Sequence, residues 1–139
     1  MDYKLELVLI PVSDVDRAKS FYTDKVAFHL DVDHRAGDEF RVVQMTPPGS
    51  ACSISIGIGI TKAAPGSVEG LHLVVSDIVS ARAELVGRGV EVGEVRHMES
   101  GNWVLGPDPR RSDYNSFAGF SDPDGNTWLL QEVGWGKTA

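Results

Sequence analysis

The sequence predicts an α+β fold made of two tandem βαβββ modules, and two internal repeats are the basis of this prediction. An apolar strand followed by Val-Ser-Asp and a helical pattern occurs at residues 12–14 and again at residues 75–77. A strand, a Pro/Gly turn and a second alternating strand surround residues 46–49 and again residues 122–125. The spacing of the second repeat exceeds that of the first by 13 residues, so the second module carries about that much extra chain between its helix and its closing hairpin.

The first module opens with a strand and a helix. Residues 5–12 (LELVLIPV) are a strongly apolar strand, and Pro11 near its end indicates an edge position or a bulge. Ser13 and Asp14 supply the side-chain oxygens that a helix N-cap needs. Apolar side chains then recur on one helical face, which predicts a helix over residues 14–24.

Three more strands complete the first module. They are predicted at residues 28–33, 40–46 and 51–60. In the last strand Gly57 and Gly59 alternate with isoleucines, which predicts a face without side chains and with room for a ligand. The short Pro- and Gly-containing segment 61–69 then links the two modules.

The second module repeats this order. A strand at residues 71–76 precedes a helix over residues 77–88, and Gly89 is placed to end that helix. A further strand is predicted at residues 90–95, and a hairpin with a Gly-bearing turn follows at residues 117–133 (FAGFSDPDGNTWLLQEV). We therefore expect one domain over residues 1–139, with module one at residues 5–60 and module two at residues 70–134.

The extra chain of the second module has no clear periodicity in residues 96–114 (RHMESGNWVLGPDPRRSDY). A loop of this length inside a compact domain is usually functional. It carries Met98, Trp103 and Leu105, which are apolar side chains that favour a covered position. We predict that this segment is a lid and that Trp103 packs over a ligand.

Composition and charge exclude several classes of protein. The net charge of −7 and the absence of a Lys/Arg stripe argue against nucleic-acid binding. No apolar run approaches the length needed to cross a membrane, so no membrane association is expected. The single cysteine, Cys52, cannot form an internal disulfide, and we therefore expect a cytoplasmic protein.

The repeated pattern of strand, Val-Ser-Asp and helix, closing on DPDGNTW, resembles the vicinal oxygen chelate superfamily. That superfamily includes glyoxalase I, extradiol dioxygenases, and bleomycin- and fosfomycin-resistance proteins. The resemblance covers nearly the whole chain, and it implies that the two modules curl a mixed sheet into a cup that holds the ligand. It also implies a homodimer, because members of the family usually pair across a two-fold axis.

The resemblance further implies four inward strand positions that hold a divalent metal through His, Glu or Gln. Counting from the helix-opening and turn Asp residues places Leu7, Ser53, Gly70 and Leu129 at these positions, with Ser55 replacing Ser53 if the strand register shifts by two. These side chains do not provide converging imidazole or carboxylate ligands. No metal and no other cofactor are therefore expected.

His72 and Gln131 are the polar side chains predicted to share the inward face of their strands with Gly70 and Leu129. His72 is either a hydrogen-bonded core residue or a functional group, acting as a general base or as a ligand-binding donor. Glu132 has the opposite parity and is expected to point away from the cup. Asp122 and Asp124 resemble a catalytic carboxylate pair but are better explained as turn formers.

Two functions from different classes are compatible with these residues. The first is a metal-free protein that binds a hydrophobic or aromatic small molecule, as the bleomycin-resistance branch of the family sequesters its drug. The second is a glyoxalase- or dioxygenase-type enzyme with a displaced metal site or with acid–base chemistry at a catalytic His72. The predicted ligand-binding residues are Ser53, Ser55, Gly57, His72, Trp103, Phe120, Leu129 and Gln131.

Overall fold

The computed structural model describes residues 1–137, and the chain divides into two compact units. The first unit contains residues 1–68 together with residues 122–126, and the second contains residues 69–121 and the chain from residue 127 onward. Within the described residues no helix combines the length and the apolar character needed to cross a membrane. Each unit is built around one mixed sheet and one helical segment.

The first unit has the predicted βαβββ order. Its elements are β1 (Leu7–Leu9), α1 (Val15–Ser20), a π-helical continuation of α1 (Phe21–Lys25), β2 (His29–Arg35), β3 (Arg41–Thr46) and β4 (Ser53–Ile58). The strands lie in the order β1-β4-β3-β2, with β1 parallel to β4 and the other pairs antiparallel. The predicted order of elements is therefore confirmed, and each predicted strand is shorter or shifted by a few residues.

The helices of both units begin at the predicted Asp residues. The Asp14 carboxylate accepts a hydrogen bond from the Arg17 N–H at 3.1 Å, and the Asp77 carboxylate accepts one from the Ser80 N–H at 3.2 Å. Both are N-cap contacts that satisfy an otherwise unpaired helix N–H group. The two caps occupy the same position in the two Val-Ser-Asp segments, which confirms the repeat.

The core of the first unit lies on one face of its sheet. The alternate residues Val43 and Met45 of β3 and Ile54 and Ile56 of β4 are all buried, and α1 packs against β4. A strand points successive side chains to opposite faces, so the residues between them belong to the other face. We call this second face, which α1 does not cover, the first open face.

A charged cluster joins the end of β2 to β3 and α1. Arg41 makes a bidentate pair with Asp33, at 3.1 and 2.9 Å, and its third nitrogen donates to Asp16 at 2.8 Å. The hydrogen bonds from Arg41, together with one from Lys19, hold the pKa of the Asp33 carboxyl well below its usual range. This cluster fixes the edge of the first sheet against the helix.

The DPDGN turn between the last two strands belongs to the first unit. Asp122 accepts hydrogen bonds from the backbone N–H groups of Asp124 and Asn126, as expected of a turn former, and its other oxygen accepts from the Tyr22 hydroxyl at 2.8 Å. The fully buried Asn126 donates to the Pro11 carbonyl at 2.9 Å. The turn residues therefore have a structural role that extends beyond the turn itself.

The second unit contains the extra strand that accounts for the longer module. Its elements are β5 (Leu71–Val75), α2 (Ile78–Gly87), β6 (Arg96–Glu99), β7 (Asn102–Leu105), β8 (Phe117–Ser121) and β9 (Thr127–Glu132). The strand order is β5-β9-β8-β6-β7, so β7 is an added edge strand beside the four that match the first unit. Gly89 follows the end of α2 with a φ of +91°, as predicted for a residue that ends a helix.

Two predictions about this region are wrong. Residues 90–95 are not a strand, although Val90 and Val92 are buried, and the strand begins only at Arg96. Residues 96–105, predicted to be part of an irregular lid, instead form the antiparallel β6–β7 hairpin. Its two turn residues, Ser100 and Gly101, both have positive φ angles of 49° and 81°, which is the conformation of a two-residue type I′ turn.

The chain after β7 is held to the core by a buried ion pair. Glu132 is fully buried and accepts hydrogen bonds from Arg111 Nε at 2.8 Å and Nη2 at 2.7 Å. It also accepts from the backbone N–H of Ile78, at the start of α2, at 2.9 Å. Glu132 thus points toward the helix, as its parity predicted, and Arg111 ties the loop before β8 to the end of β9.

Candidate functional site

The second sheet has a helix-facing side and an opposite side, which we call the second open face. The pairing between strands assigns each strand residue to one of these two sides, because directly paired residues share a face. His72 pairs with Leu129, Gln131 with Phe117, Phe117 with Arg96, and Met98 with Trp103. The second open face therefore carries His72, Val74, Arg96, Met98, Trp103, Leu105, Phe117, Leu129 and Gln131.

Trp103 is fixed in place on this face and remains half exposed. Its ring lies edge-on to Phe117, with centroids 5.6 Å apart and an interplanar angle of 83°, and the Arg96 guanidinium lies 4.6 Å from its ring centroid. Even so, 51% of Trp103 is exposed. A large aromatic surface with restricted motion is suited to stacking on a ligand, because little conformational entropy is lost on binding.

His72 is exposed on the second open face, so the alternative of a buried core histidine is wrong for this residue. Its Nδ1 lies 2.6 Å from the Gly70 carbonyl oxygen. Since a carbonyl oxygen only accepts, Nδ1 must carry the hydrogen, and in a neutral ring Nε2 is then the acceptor. His72 therefore offers a ligand a hydrogen-bond acceptor at Nε2.

Gln131 and Leu129 lie beside His72 as predicted, whereas Phe120 does not. Phe120 pairs with Trp128 on the helix-facing side, is buried, and stacks on that ring at 6.2 Å. The hairpin register places every second residue from Phe117 on the open face, and Phe120 has the opposite parity. The prediction that Phe120 faces a ligand is therefore corrected.

The first open face is polar at its centre and apolar at its rim. Ser53 and Ser55 of β4 lie on this face, between Leu7 and Leu9 of β1 on one side and Thr46 and Gln44 of β3 on the other. Ser55 is fully buried between its neighbours, and no hydrogen-bond partner of its Oγ is present among the described residues. Unpartnered buried hydroxyls are uncommon in folded proteins, which makes this one a candidate contact.

Gly57 is required by the sheet itself. A Cβ at this position would lie 2.0 Å from the Arg41 carbonyl oxygen on β3. Gly59 lies beyond the end of β4, has a φ of +75°, and would place a Cβ 2.6 Å from the Glu39 carbonyl oxygen. The close backbone approach therefore explains both glycines. The sequence-based interpretation, that they leave room for a ligand, is not needed to account for them.

A separate polar cleft of about 410 Å³ lies in the second unit, beside the β6–β7 hairpin. Its buried His97 has Nδ1 2.7 Å from the Gly106 carbonyl and Nε2 3.2 Å from the Glu99 carboxylate. Both partners are acceptors, so these contacts favour the protonated ring, and the hydrogen bond to Gly106, followed by Glu99, raises the pKa of His97. In the same cleft the N–H of Arg110 is the main cause that lowers the pKa of Asp108 to about 2.

The sequence profile of the Glyoxalase/Bleomycin resistance protein/Dioxygenase superfamily matches residues 4–130. The chain belongs to this superfamily. The match covers both βαβββ units and confirms the resemblance stated from the DPDGNTW motif and the repeats.

Three relatives illustrate the range of the superfamily around this chain. TnmS3, an antibiotic-binding protein from Streptomyces sp. CB03234, is 33% identical, with 94% of this chain and 96% of that one covered and a TM-score of 0.72. A glyoxalase/bleomycin resistance protein from the same organism is 34% identical, with 92% and 99% covered and a TM-score of 0.69. The protein YetH of Bacillus subtilis (strain 168) is 28% identical, with 90% of this chain and 94% of YetH covered.

The metal that many members of this superfamily hold does not fit the side chains present. Leu9 is the counterpart of His72 in the first Val-Ser-Asp repeat, and it pairs with Ser55 just as His72 pairs with Leu129. The pair in the first unit offers one hydroxyl and the pair in the second offers one imidazole, so neither pair is a ligand set for a divalent metal. Among residues 1–137 no three His, Cys, Asp or Glu side chains converge to hold an ion.

The same pairing corrects the repeat spacing used for the last strands. Ser55, and not Ser53, is the counterpart of Leu129, so the spacing measured at the turns is too long for the strands that follow them. The turns of the two hairpins differ in length, and a spacing measured at a turn therefore does not apply to the next strand.

Three residues of the second open face were missed from the sequence, Val74, Arg96 and Phe117. Val74 would have been found by parity along β5, because it lies two residues after His72. Phe117 would have been found by counting the register of the closing hairpin from Gln131. Arg96 required recognition of Ser100-Gly101 as a hairpin turn between two short alternating segments.

Proposed function

We propose that this chain binds an apolar or aromatic small molecule and that the open faces of its sheets are the binding surfaces. The observation that carries the proposal is Trp103, which is held by Phe117 and Arg96 and yet half exposed. A soluble domain rarely fixes a large aromatic side chain at its surface unless that side chain contacts a partner.

The surroundings of Trp103 support an apolar ligand. Met98 and Leu105 lie beside it on the hairpin, and Val74 and Leu129 continue the same face toward β5. Leu129 is partly exposed, and the other four apolar side chains of this group are exposed, namely Val74, Met98, Trp103 and Leu105. The polar groups on the face are few, namely His72 Nε2, the Gln131 amide and the Arg96 guanidinium beside Trp103, which is the pattern of a small-molecule site.

The comparisons support the same class of function. TnmS3, with 33% identity over most of both chains, is an antibiotic-binding protein. The paired strand positions of this chain lack a metal ligand set, so binding accounts for the residues present more simply than metal-dependent catalysis does. We therefore favour sequestration of a hydrophobic or aromatic compound, such as a drug.

Fluorescence titration against a panel of planar aromatic compounds tests this proposal. Trp128 and Trp135 are replaced by Phe so that the emission comes from Trp103 alone. At least one compound is expected to change this emission, and Trp103→Ala should weaken its binding by about 1 to 3 kcal/mol. Val104→Ala is the matched control, because Val104 lies on the same strand with its side chain on the other face.

One result would contradict the binding proposal, and another would contradict a direct contact by Trp103. If no compound of the panel alters the emission, and Trp103→Ala lowers the melting temperature as a core truncation does, then Trp103 has a structural role. An equal loss of affinity in Val104→Ala would show that any change in the hairpin weakens binding, and would remove Trp103 as a direct contact.

A second candidate function is catalysis by His72. The hydrogen bond from Nδ1 to Gly70 fixes the ring with Nε2 as a proton acceptor, which is the state that a general base requires. Each compound that binds is incubated with the protein and recovered for mass spectrometry. Conversion that is lost in His72→Gln would establish an enzyme, and recovery of the unchanged compound would leave binding as the function.

We also propose that the chain forms a homodimer. Strand β1 is at a sheet edge, and its open-face side chains Leu7 and Leu9, together with Leu5 before it, are exposed at 38%, 39% and 72%. A second copy would cover this edge and its apolar side chains. Sedimentation at micromolar concentration is expected to give twice the chain mass, and a monomer would refute this assignment.

A further inference from the structure

Asp31, Thr46 and Ser53 form a chain of hydrogen bonds on the first open face, and the donors and acceptors in it set its direction. Thr46 Oγ1 donates to the Asp31 carboxylate, because a carboxylate oxygen accepts and Thr46 has the hydrogen. Ser53 Oγ lies 2.6 Å from Thr46 Oγ1. Since Thr46 has already given its only hydrogen, Ser53 must be the donor in this second bond.

The consequence is that the free positions on Ser53 Oγ and on the Asp31 carboxylate are acceptors. Both hydroxyl hydrogens point toward Asp31, which leaves the lone pairs of Ser53 Oγ and of the carboxylate for another group. Asp31 sits at the register shift between Leu30 and Val32, where the strand irregularity lets its side chain reach Thr46. The side chain facing it is His29, whose Nε2 lies 3.7 Å from the carboxylate and which is largely exposed.

Ser55 adds an independent sign that a ligand group belongs here. It is the next residue of β4 on the same face, it is fully buried, and its Oγ lacks a partner within residues 1–137. Gln44 is its cross-strand neighbour and is partly exposed. A ligand that displaces the Gln44 side chain would reach this hydroxyl and satisfy it.

We propose that the first open face binds a protonated amine, held by Asp31 and by the acceptor oxygen of Ser53. This inference rests on the proposed small-molecule binding function and names the chemical class of ligand for the first open face, an aromatic or apolar amine. An ammonium group has three donors and a positive charge, which complements the Asp31 carboxylate and the acceptor oxygen of Ser53 beside it. The net charge of −7 favours the approach of the same class of molecule.

The test uses two probes that differ only in this group. The first is 1-naphthylmethylamine, which is protonated at neutral pH, and the second is 1-naphthylmethanol, which is similar in shape and uncharged. Calorimetric titration of the full chain is expected to show that the amine binds about 10-fold more tightly or better.

Asp31→Asn should remove this preference. The amide keeps an oxygen that accepts from Thr46, so the local hydrogen bond survives while the charge is lost. We expect the amine to lose about 10-fold in affinity and the alcohol to be unchanged. Asp38→Asn, at an exposed position in the β2–β3 connection, changes the net charge equally and should leave both affinities as they are.

The other outcomes refute either the amine subsite alone or the proposed binding function as well. Equal affinities of the two probes in the natural chain, or equal losses in Asp31→Asn and Asp38→Asn, overturn the amine subsite. If in addition the probes still alter the emission of Trp103, the proposed binding function stands without it. If neither probe binds at millimolar concentration, the binding function fails for simple aromatics and the amine subsite fails with it.

Discussion

Replacement of Arg111 by Met is expected to leave a buried charge without its partner. Glu132 is fully buried, and two of the three described hydrogen bonds to its carboxylate come from the Arg111 guanidinium. Met has a similar length and packs well, so the main change is the loss of the positive charge and of two donors. The Ile78 N–H, the remaining donor, cannot compensate a carboxylate charge by itself.

The size of the effect follows from this geometry. Breaking a buried ion pair by removing one partner costs about 3 to 5 kcal/mol. The Arg111 side chain is 17% exposed, so water reaches part of the pair and the lower end of that range applies. Arg111 also lies 4.4 Å from the Trp135 ring centroid, which adds about 0.5 kcal/mol. We therefore expect a loss of about 3 kcal/mol in the free energy of unfolding.

Urea denaturation at pH 7, followed by far-ultraviolet circular dichroism, measures this loss. Arg110→Met is the matched control, because Arg110 is the exposed neighbour in sequence, and it should change the unfolding free energy by less than about 0.5 kcal/mol. The double variant Arg111→Met with Glu132→Gln removes the charge but keeps an oxygen for the Ile78 N–H. It should therefore be more stable than Arg111→Met alone, by about 1 to 2 kcal/mol.

Two results would show that this reasoning is wrong. A stability of Arg111→Met within about 0.5 kcal/mol of the natural chain would mean that Glu132 is readily hydrated. A double variant less stable than the single one would mean that the carboxylate stabilises the fold through contacts other than Arg111.

Two further predictions concern His97 and Gly57. Because the pKa of His97 is raised in the folded state, its contribution to stability is complete below its unfolded pKa of about 6.5 and is lost as pH rises through the folded value. The natural chain should therefore lose melting temperature relative to His97→Gln as the pH rises above about 6.5, and parallel curves would contradict this. Gly57→Ala should cost more than about 2 kcal/mol, because its Cβ would meet the Arg41 carbonyl at 2.0 Å. Gly87→Ala, with open space around the Cβ, is the control and should be neutral or stabilising.

The order of the elements followed from local chemistry that the sequence displays directly. Asp14 and Asp77 begin helices because their side chains cap nearby N–H groups, and Gly89 ends one because it adopts a positive φ without strain. The hairpin at residues 117–133 was equally clear from its alternation and its turn. Such signals act over a few residues, so they can be recognised without knowledge of the fold.

The face on which a side chain lies was predicted where parity along one strand was sufficient. His72, Leu129 and Gln131 share a face, and Glu132 has the opposite one, because side chains alternate along every strand. Phe120 was misplaced, since its face depends on how β8 pairs with β9 and not on β8 alone. Register between strands is set by turn length and by packing, which a single strand does not display.

By itself the sequence determined the two βαβββ modules, the helix caps, the turn residues and the parity of the last strand, all of which depend on contacts within a few residues. Only the tertiary structure decided that β6 pairs with β8, which places Trp103 on Phe117 with Arg96 above it. It also decided that Ser53, Thr46 and Asp31 form one directed chain of hydrogen bonds. These arrangements join residues that are distant along the chain, and their geometry is set by strand pairing, which local sequence patterns do not encode.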